Sequence, residues 1–282
     1  MDWKGRRKST NVEDRRGGNS GKMVGGGIGT IIIIIIVALL GGNPTDLIEN
    51  LQPAAPGIEE SYEGTAEEEE MVEFVSVVLA ETENVWVELF REQGWTYKYP
   101  NLVIYSGRVE SACGVAGAST GPFYCSGDEK VYIDLSFFED LQKNFKAPGD
   151  FAVAYVIAHE VGHHVQNQLG ILGQVNDLRS KLSSTDFNRV MVRLELQADY
   201  FAGVWAHYVH RLDLLEEGDL EEALIAAAAV GDDRLQKQGQ GYVVPDSFTH
   251  GTSEQRARWF KKGFISGTIE DGDTFSMDYE DL

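Results

Sequence analysis

Ala158-His159-Glu160-Val161-Gly162-His163 sits inside a long apolar stretch, and its reading decides the rest of the chain. The pattern is H-E-x-x-H. On an α-helix, residues i and i+4 lie about 40° apart around the axis, so both imidazoles face one way and can grip one metal ion. The acid beside the first histidine then reaches a water on that metal. The flanks support a helix: Phe151 to about Leu169 is apolar and periodic, Asp150 after Pro148-Gly149 reads as its N-cap, and Gly170 stops it.

Two histidines do not hold a catalytic zinc; a third protein ligand is needed, with water in the fourth position. The extended form H-E-x-x-H-x-x-G-x-x-H is excluded, because Gln166 and Leu169 stand where its glycine and third histidine belong. His164 lies about 140° around the helix from His159 and is expected to pack or to support the site. The next long helix, from Ser183–Asp186 to about His210, carries Leu194-Glu195-Leu196-Gln197-Ala198-Asp199. E-x-x-x-D sets two carboxylates on one face, framed by apolar residues, and buried acids need a cation. Glu195 is the expected third ligand. Asp199 is expected to accept the free ring N–H of a ligand histidine and so to fix its tautomer. The reverse assignment, Asp199 on the metal and Glu195 structural, stays open. His207 and His210 read as helix-surface residues.

The chain has 282 residues and a formal net charge of −21. Residues 1–22 are basic, with Lys4, Arg6, Arg7, Lys8, Arg15, Arg16 and Lys22 against Asp2, Glu13 and Asp14, a net of +4 that leaves −25 for the remainder. So acidic a body excludes nucleic acid as a partner. From Met23 to Gly42 no residue is charged, and twenty residues at about 1.5 Å each span about 30 Å, the thickness of a hydrocarbon core. This stretch reads as one uncleaved transmembrane helix. The positive flank puts residues 1–22 in the cytoplasm and the chain after about residue 42 outside the cell membrane. Residues 1–22 are Gly/Ser-rich and expected to be disordered.

Residues 43–70, with Pro44, Pro53, Pro56 and the run Glu67–Glu70, read as an acidic flexible linker. A zinc-binding domain is expected over 71–267, and 268–282 reads as an acidic tail. Within the domain, Met71–Phe90 is helical by period, Leu102–Tyr105 and Lys130–Leu135 are strands, and Leu220–Val230 is a helix. In many zinc peptidases a strand just before the motif helix lies along the substrate, and by that analogy the second strand is the expected rail for an extended substrate. Thr252-Ser253-Glu254-Gln255 is a capping box opening a last helix. Cys113 and Cys125, the two cysteines, flank turn-rich sequence and are expected to close a disulfide in an oxidising compartment.

Ala158–Gln166 together with Leu196-Gln197-Ala198-Asp199 resembles the bacterial family of neutral zinc metallopeptidases. So do the start, Trp3–Arg7 and Asn11–Gly17, and the loop from Cys113-Gly114 to Cys125. The resemblance covers most of the chain, leaving out the linker and the tail. It implies an α+β fold, a mainly helical zincin-like domain with a small β-sheet, behind one transmembrane helix. A looser resemblance to gluzincin-type membrane peptidases implies a role for Thr249–Arg256: His250 would donate to the oxyanion of the reacting carbonyl.

The expected function is a membrane-anchored zinc endopeptidase acting on peptides or proteins. Zn2+ would be held by His159, His163 and Glu195, with Glu160 as general base toward the zinc-activated water. The alternatives are a scaffold that retains a structural or vestigial zinc site, and zinc-dependent hydrolysis of a non-peptide bond.

Overall fold

The computed structural model describes residues 1–17, 62, 64–117 and 120–282. The core is helical. Helix α1 (Ala66–Glu92) leads to strand β2 (Asn101–Tyr105), the hairpin β3 (Arg108–Ser111) and β4 (Gly114–Gly117), then β5 (Phe123–Cys125) and β6 (Lys130–Asp134). Helices follow: α2 (Ser136–Lys143), α3 (Asp150–Gln168), α4 (Ile171–Leu178), α5 (Ser184–Arg211), α6 (Asp219–Ala229), α7 (Asp232–Gln240) and α8 (Ser253–Ser266). A first strand β1 (Val12–Asp14) completes a four-stranded sheet in the order β1-β2-β6-β5, in which only β5 and β6 pair antiparallel.

Glycines let the helices approach. A Cβ on Gly203 of α5 would stand 2.0 Å from the Phe260 carbonyl oxygen, and one on Gly263 of α8 would stand 2.0 Å from that of Tyr200. Bare backbone therefore meets bare backbone where α5 and α8 cross. Trp86, Phe151, Phe201 and Trp205 fill the core between α1, α3 and α5, each 1% exposed or less. The Cys113–Cys125 disulfide forms, with Cα atoms 5.8 Å apart, and ties the hairpin to β5.

The sequence-based fold class needs correction at its N-terminus. The expected span 23–42 lies outside the described residues. Among the described residues no helix is long and apolar enough to cross a membrane, so the transmembrane helix finds no support and is withdrawn. The single-pass topology falls on a further ground. Residues 1–17 are built into the domain: β1 runs in parallel register with β2, Val12 opposite Leu102. Trp3, 9% exposed, packs edge-on against Phe74 at 5.4 Å. Strands of one ladder cannot lie on opposite sides of a bilayer, so a cytoplasmic N-terminus with the domain outside is excluded for these residues.

The basic residues that suggested a disordered, positive-inside flank have acidic partners in α1: Lys4 on Glu70, Lys8 on Glu73, Arg7 on Glu83 and Arg16 on Glu69. The amino group of Met1 is buried among Asp150, Glu216 and Asp219, at 2.7–3.1 Å.

Three boundaries also move. The acidic run is no linker but the first turn of α1, where Thr65 and Glu68 form a capping box and the glutamates complement the helix dipole. Gly149, with φ of 109°, is the N-cap of α3, and Asp150 is its first helical residue. Residues 268–282 are docked: Thr274 is fully buried, and Tyr279 lies under the guanidinium groups of Arg189 and Arg193. Strand β6, finally, pairs with β2 along its whole length and with β5 over Lys130, Val131 and Tyr132, so these three residues offer a substrate no free edge.

Candidate metal centre

Gly162, inside the motif, brings the site together. A Cβ there would stand 2.9 Å from the carbonyl oxygen of Ala198 and 3.2 Å from its Cα, so α3 and α5 touch backbone to backbone at this level. The contact sets the motif histidines opposite Glu195 and Asp199. His159 Nε2 lies 3.2 Å from Glu195 Oε2, and His163 Nε2 lies 3.5 Å from Glu195 Oε1. One ligand atom from each of His159, His163 and Glu195 lies within 4.8 Å of the others, a span that one ion can bridge. Two imidazoles and a carboxylate are a donor set that suits zinc. Burial would raise the Glu195 carboxyl, but the imidazoles of His163, His250 and His159 more than offset this and hold it well below the usual range.

Asp199 takes the other side of His159. Its Oδ1 lies 2.8 Å from Nδ1 and accepts the ring proton, leaving Nε2 to face Glu195. The same carboxylate accepts from Tyr155 Oη at 2.6 Å and from Arg256 Nε and Nη2 at 2.8 and 2.9 Å. It is fully buried, and its lone pairs are spoken for. The geometry therefore brings Glu195, not Asp199, to the Nε2 side. His159 is pulled down by burial and pushed further up by Asp199 and Glu195, to about 9.

Glu160 follows His159 on the helix and is 8% exposed. His250 stands on the loop before α8, close enough for its charge to lower Glu195. Asp232 builds that loop: Oδ2 accepts the backbone N–H of Thr249, His250 and Gly251 at 2.7, 2.6 and 3.1 Å, and Oδ1 lies 3.3 Å from His250 Nδ1. His164 points away from the centre. It is fully buried, with Nε2 on the Lys98 carbonyl at 2.7 Å and Nδ1 near Tyr124 Oη at 3.0 Å. His207 caps the Phe264 carbonyl at 2.9 Å.

Sequence reasoning missed Tyr155, Gln166, Gln197 and Asp232. Tyr155 carried a signal, being four residues before His159 on the same helix face. Asp232 carried none, since its partners are backbone amides of a distant loop.

The fold thus sets two imidazoles and a carboxylate together as a candidate zinc site. A family model described as "Putative neutral zinc metallopeptidase" matches residues 1–275, and the chain belongs to that family. It is 49% identical over 283 residues to the uncharacterized protein YpfJ of Escherichia coli, covering 98% of this chain and 99% of that one. It is 44% identical over 191 residues to an uncharacterized protein of Mycobacterium tuberculosis, covering 64% of each. No solved structure matches the chain.

Proposed function

We propose that the chain is a zinc-dependent endopeptidase in which His159, His163 and Glu195 hold the metal and Glu160 is the general base. One observation carries this reading: the Nε2 atoms of both motif histidines converge on the Glu195 carboxylate, while Glu160 on the same helix is left for other work. When bound, zinc supplies Lewis acidity, polarising the substrate carbonyl and making a water acidic near neutral pH. Glu160 accepts the proton of the attacking water and delivers it to the leaving amine. His250, held at Nδ1 by Asp232, presents Nε2 to the charge developing on the carbonyl oxygen.

Among the described residues the set offers three protein ligands, which supports an open, catalytic site over a closed structural one and so weighs against a scaffold. The test is bound zinc and cleavage of a mixed peptide library by the purified chain, with Glu160→Gln and Glu195→Ala beside it. Glu160→Gln should keep zinc and lose turnover; Glu195→Ala should lose both. Zinc without cleavage by the wild type would move the reading to a scaffold.

A further inference from the structure

The second motif histidine is held by a neutral side chain. His163 Nδ1 lies 2.8 Å from Gln166 Oε1. Distance alone does not say which atom carries the proton, but the onward contacts do. Gln166 Nε2 lies 2.7 Å from the Leu194 carbonyl oxygen and 3.0 Å from Gln197 Oε1. Gln197 Nε2 lies 2.9 Å from the Gly272 carbonyl oxygen. Leu194 O and Gly272 O can only accept, so each demands an N–H. Gln197 must then turn its NH2 to Gly272 and its oxygen to Gln166. Gln166 must turn its NH2 to Leu194 and Gln197, and its oxygen to His163. An oxygen facing Nδ1 requires a proton on Nδ1, which leaves the lone pair on Nε2, the atom that faces Glu195. Gln166 is 0% and Gln197 5% exposed, so a flipped amide would set carbonyl against carbonyl with little water to relieve it.

We propose that Gln166 is a positioning residue of the metal centre: through Gln197 and the Gly272 carbonyl, it locks His163 in the tautomer whose Nε2 is free for zinc. The proposal rests on the reading of His163 as a zinc ligand. The two ligand histidines are thus oriented by different chemistry, His159 by the charged Asp199 and His163 by an amide relay. The relay ends on the C-terminal segment, where Gly272 is pressed to the Tyr200 ring, with a Cβ site only 2.6 Å from Cδ1.

The test compares the full chain with Gln166→Glu and Gln166→Leu. Zinc affinity is read by chelator competition, and the protonation of the His163 ring nitrogens by 15N NMR with and without zinc. Both variants lose the N–H given to Leu194 and Gln197; only Gln166→Leu loses the acceptor for Nδ1. Zinc affinity should fall about 10- to 100-fold in Gln166→Leu and stay within about threefold in Gln166→Glu. Equal losses, or none, would overturn the proposal, because a merely structural glutamine does not distinguish the two. The NMR spectrum of the wild type should show a proton on His163 Nδ1 in both states, and a bare Nδ1 would overturn it as well. A wild type that binds no zinc would defeat the metal reading, while the metal-free spectrum would still decide the tautomer.

Discussion

Gly162 lies against Ala198 so closely that a Cβ on the glycine would stand 2.9 Å from the Ala198 carbonyl oxygen. The obstacle is backbone, so no rotamer change relieves it, and α3 must move off α5. Ala gains about 1 kcal/mol over Gly in helix propensity, whereas overpacking costs about 1–3 kcal/mol. Gly162→Ala should therefore be net destabilising and should also weaken zinc binding, since the same contact sets His163 opposite Glu195. Gly263→Ala, with its Cβ site only 2.0 Å from the Tyr200 carbonyl oxygen, should be worse. Gly173→Ala in α4, with nothing within 4 Å, should stabilise by about 0.5–1 kcal/mol. Denaturant melts of the three variants check the order.

Arg256 and Asp199 form a buried pair, 4% and 0% exposed, with Arg256 Nε on Oδ2 at 2.8 Å. Burial would raise Asp199, and Arg256 with His159 reverses this and lowers it. Removing the guanidinium leaves a buried charge under-compensated, at a cost of about 3–5 kcal/mol. Arg256→Met should lose about that much on chemical denaturation. Arg256→Lys should recover only part, because an ammonium cannot reproduce the fork on both carboxylate oxygens.

Metal-free His159 keeps its proton up to about 9, above its ordinary 6.5. The folded value is raised, so the stabilisation from the protonated ring is fully present below 6.5 and is lost as pH rises through about 9. Zinc needs the unprotonated nitrogen and must displace that proton across the same window. Zinc affinity should therefore climb with pH, by up to about tenfold per unit, while the metal-free protein grows less stable. Calorimetry in buffers of different ionisation enthalpy counts the protons released at pH 7; a count of zero would contradict this.

The docked N-terminus makes its own prediction. Trp3 is 9% exposed against Phe74, and Glu83 in α1, 2% exposed, accepts from Arg7 and from Asn11 Nδ2 at 2.8 Å. Trp3→Ala should cost about 3 kcal/mol or more, as for a buried tryptophan. An unchanged melt would mean that residues 1–17 do not pack on the domain.

What the sequence determined by itself was local. The motif helix, the capping box at Thr252 and the stop at Gly170 follow from period and cap chemistry within a turn or two. The two carboxylates of E-x-x-x-D share a face because helical spacing puts them there. The Cys113–Cys125 bridge was legible because short, turn-rich sequence brings the two together. Tertiary structure decided whatever depends on partners far along the chain. Hydropathy reads polarity without seeing that Lys8 and Arg16 have acids waiting in α1, so a docked strand passed for a loose flank. An unpatterned C-terminus passed for a tail, because Gly272 contributes only a backbone carbonyl, and carbonyls carry no sequence signature. That Glu195, and not Asp199, faces the Nε2 atoms likewise waited on Arg256, 57 residues beyond Asp199, whose charge claims Asp199 for itself.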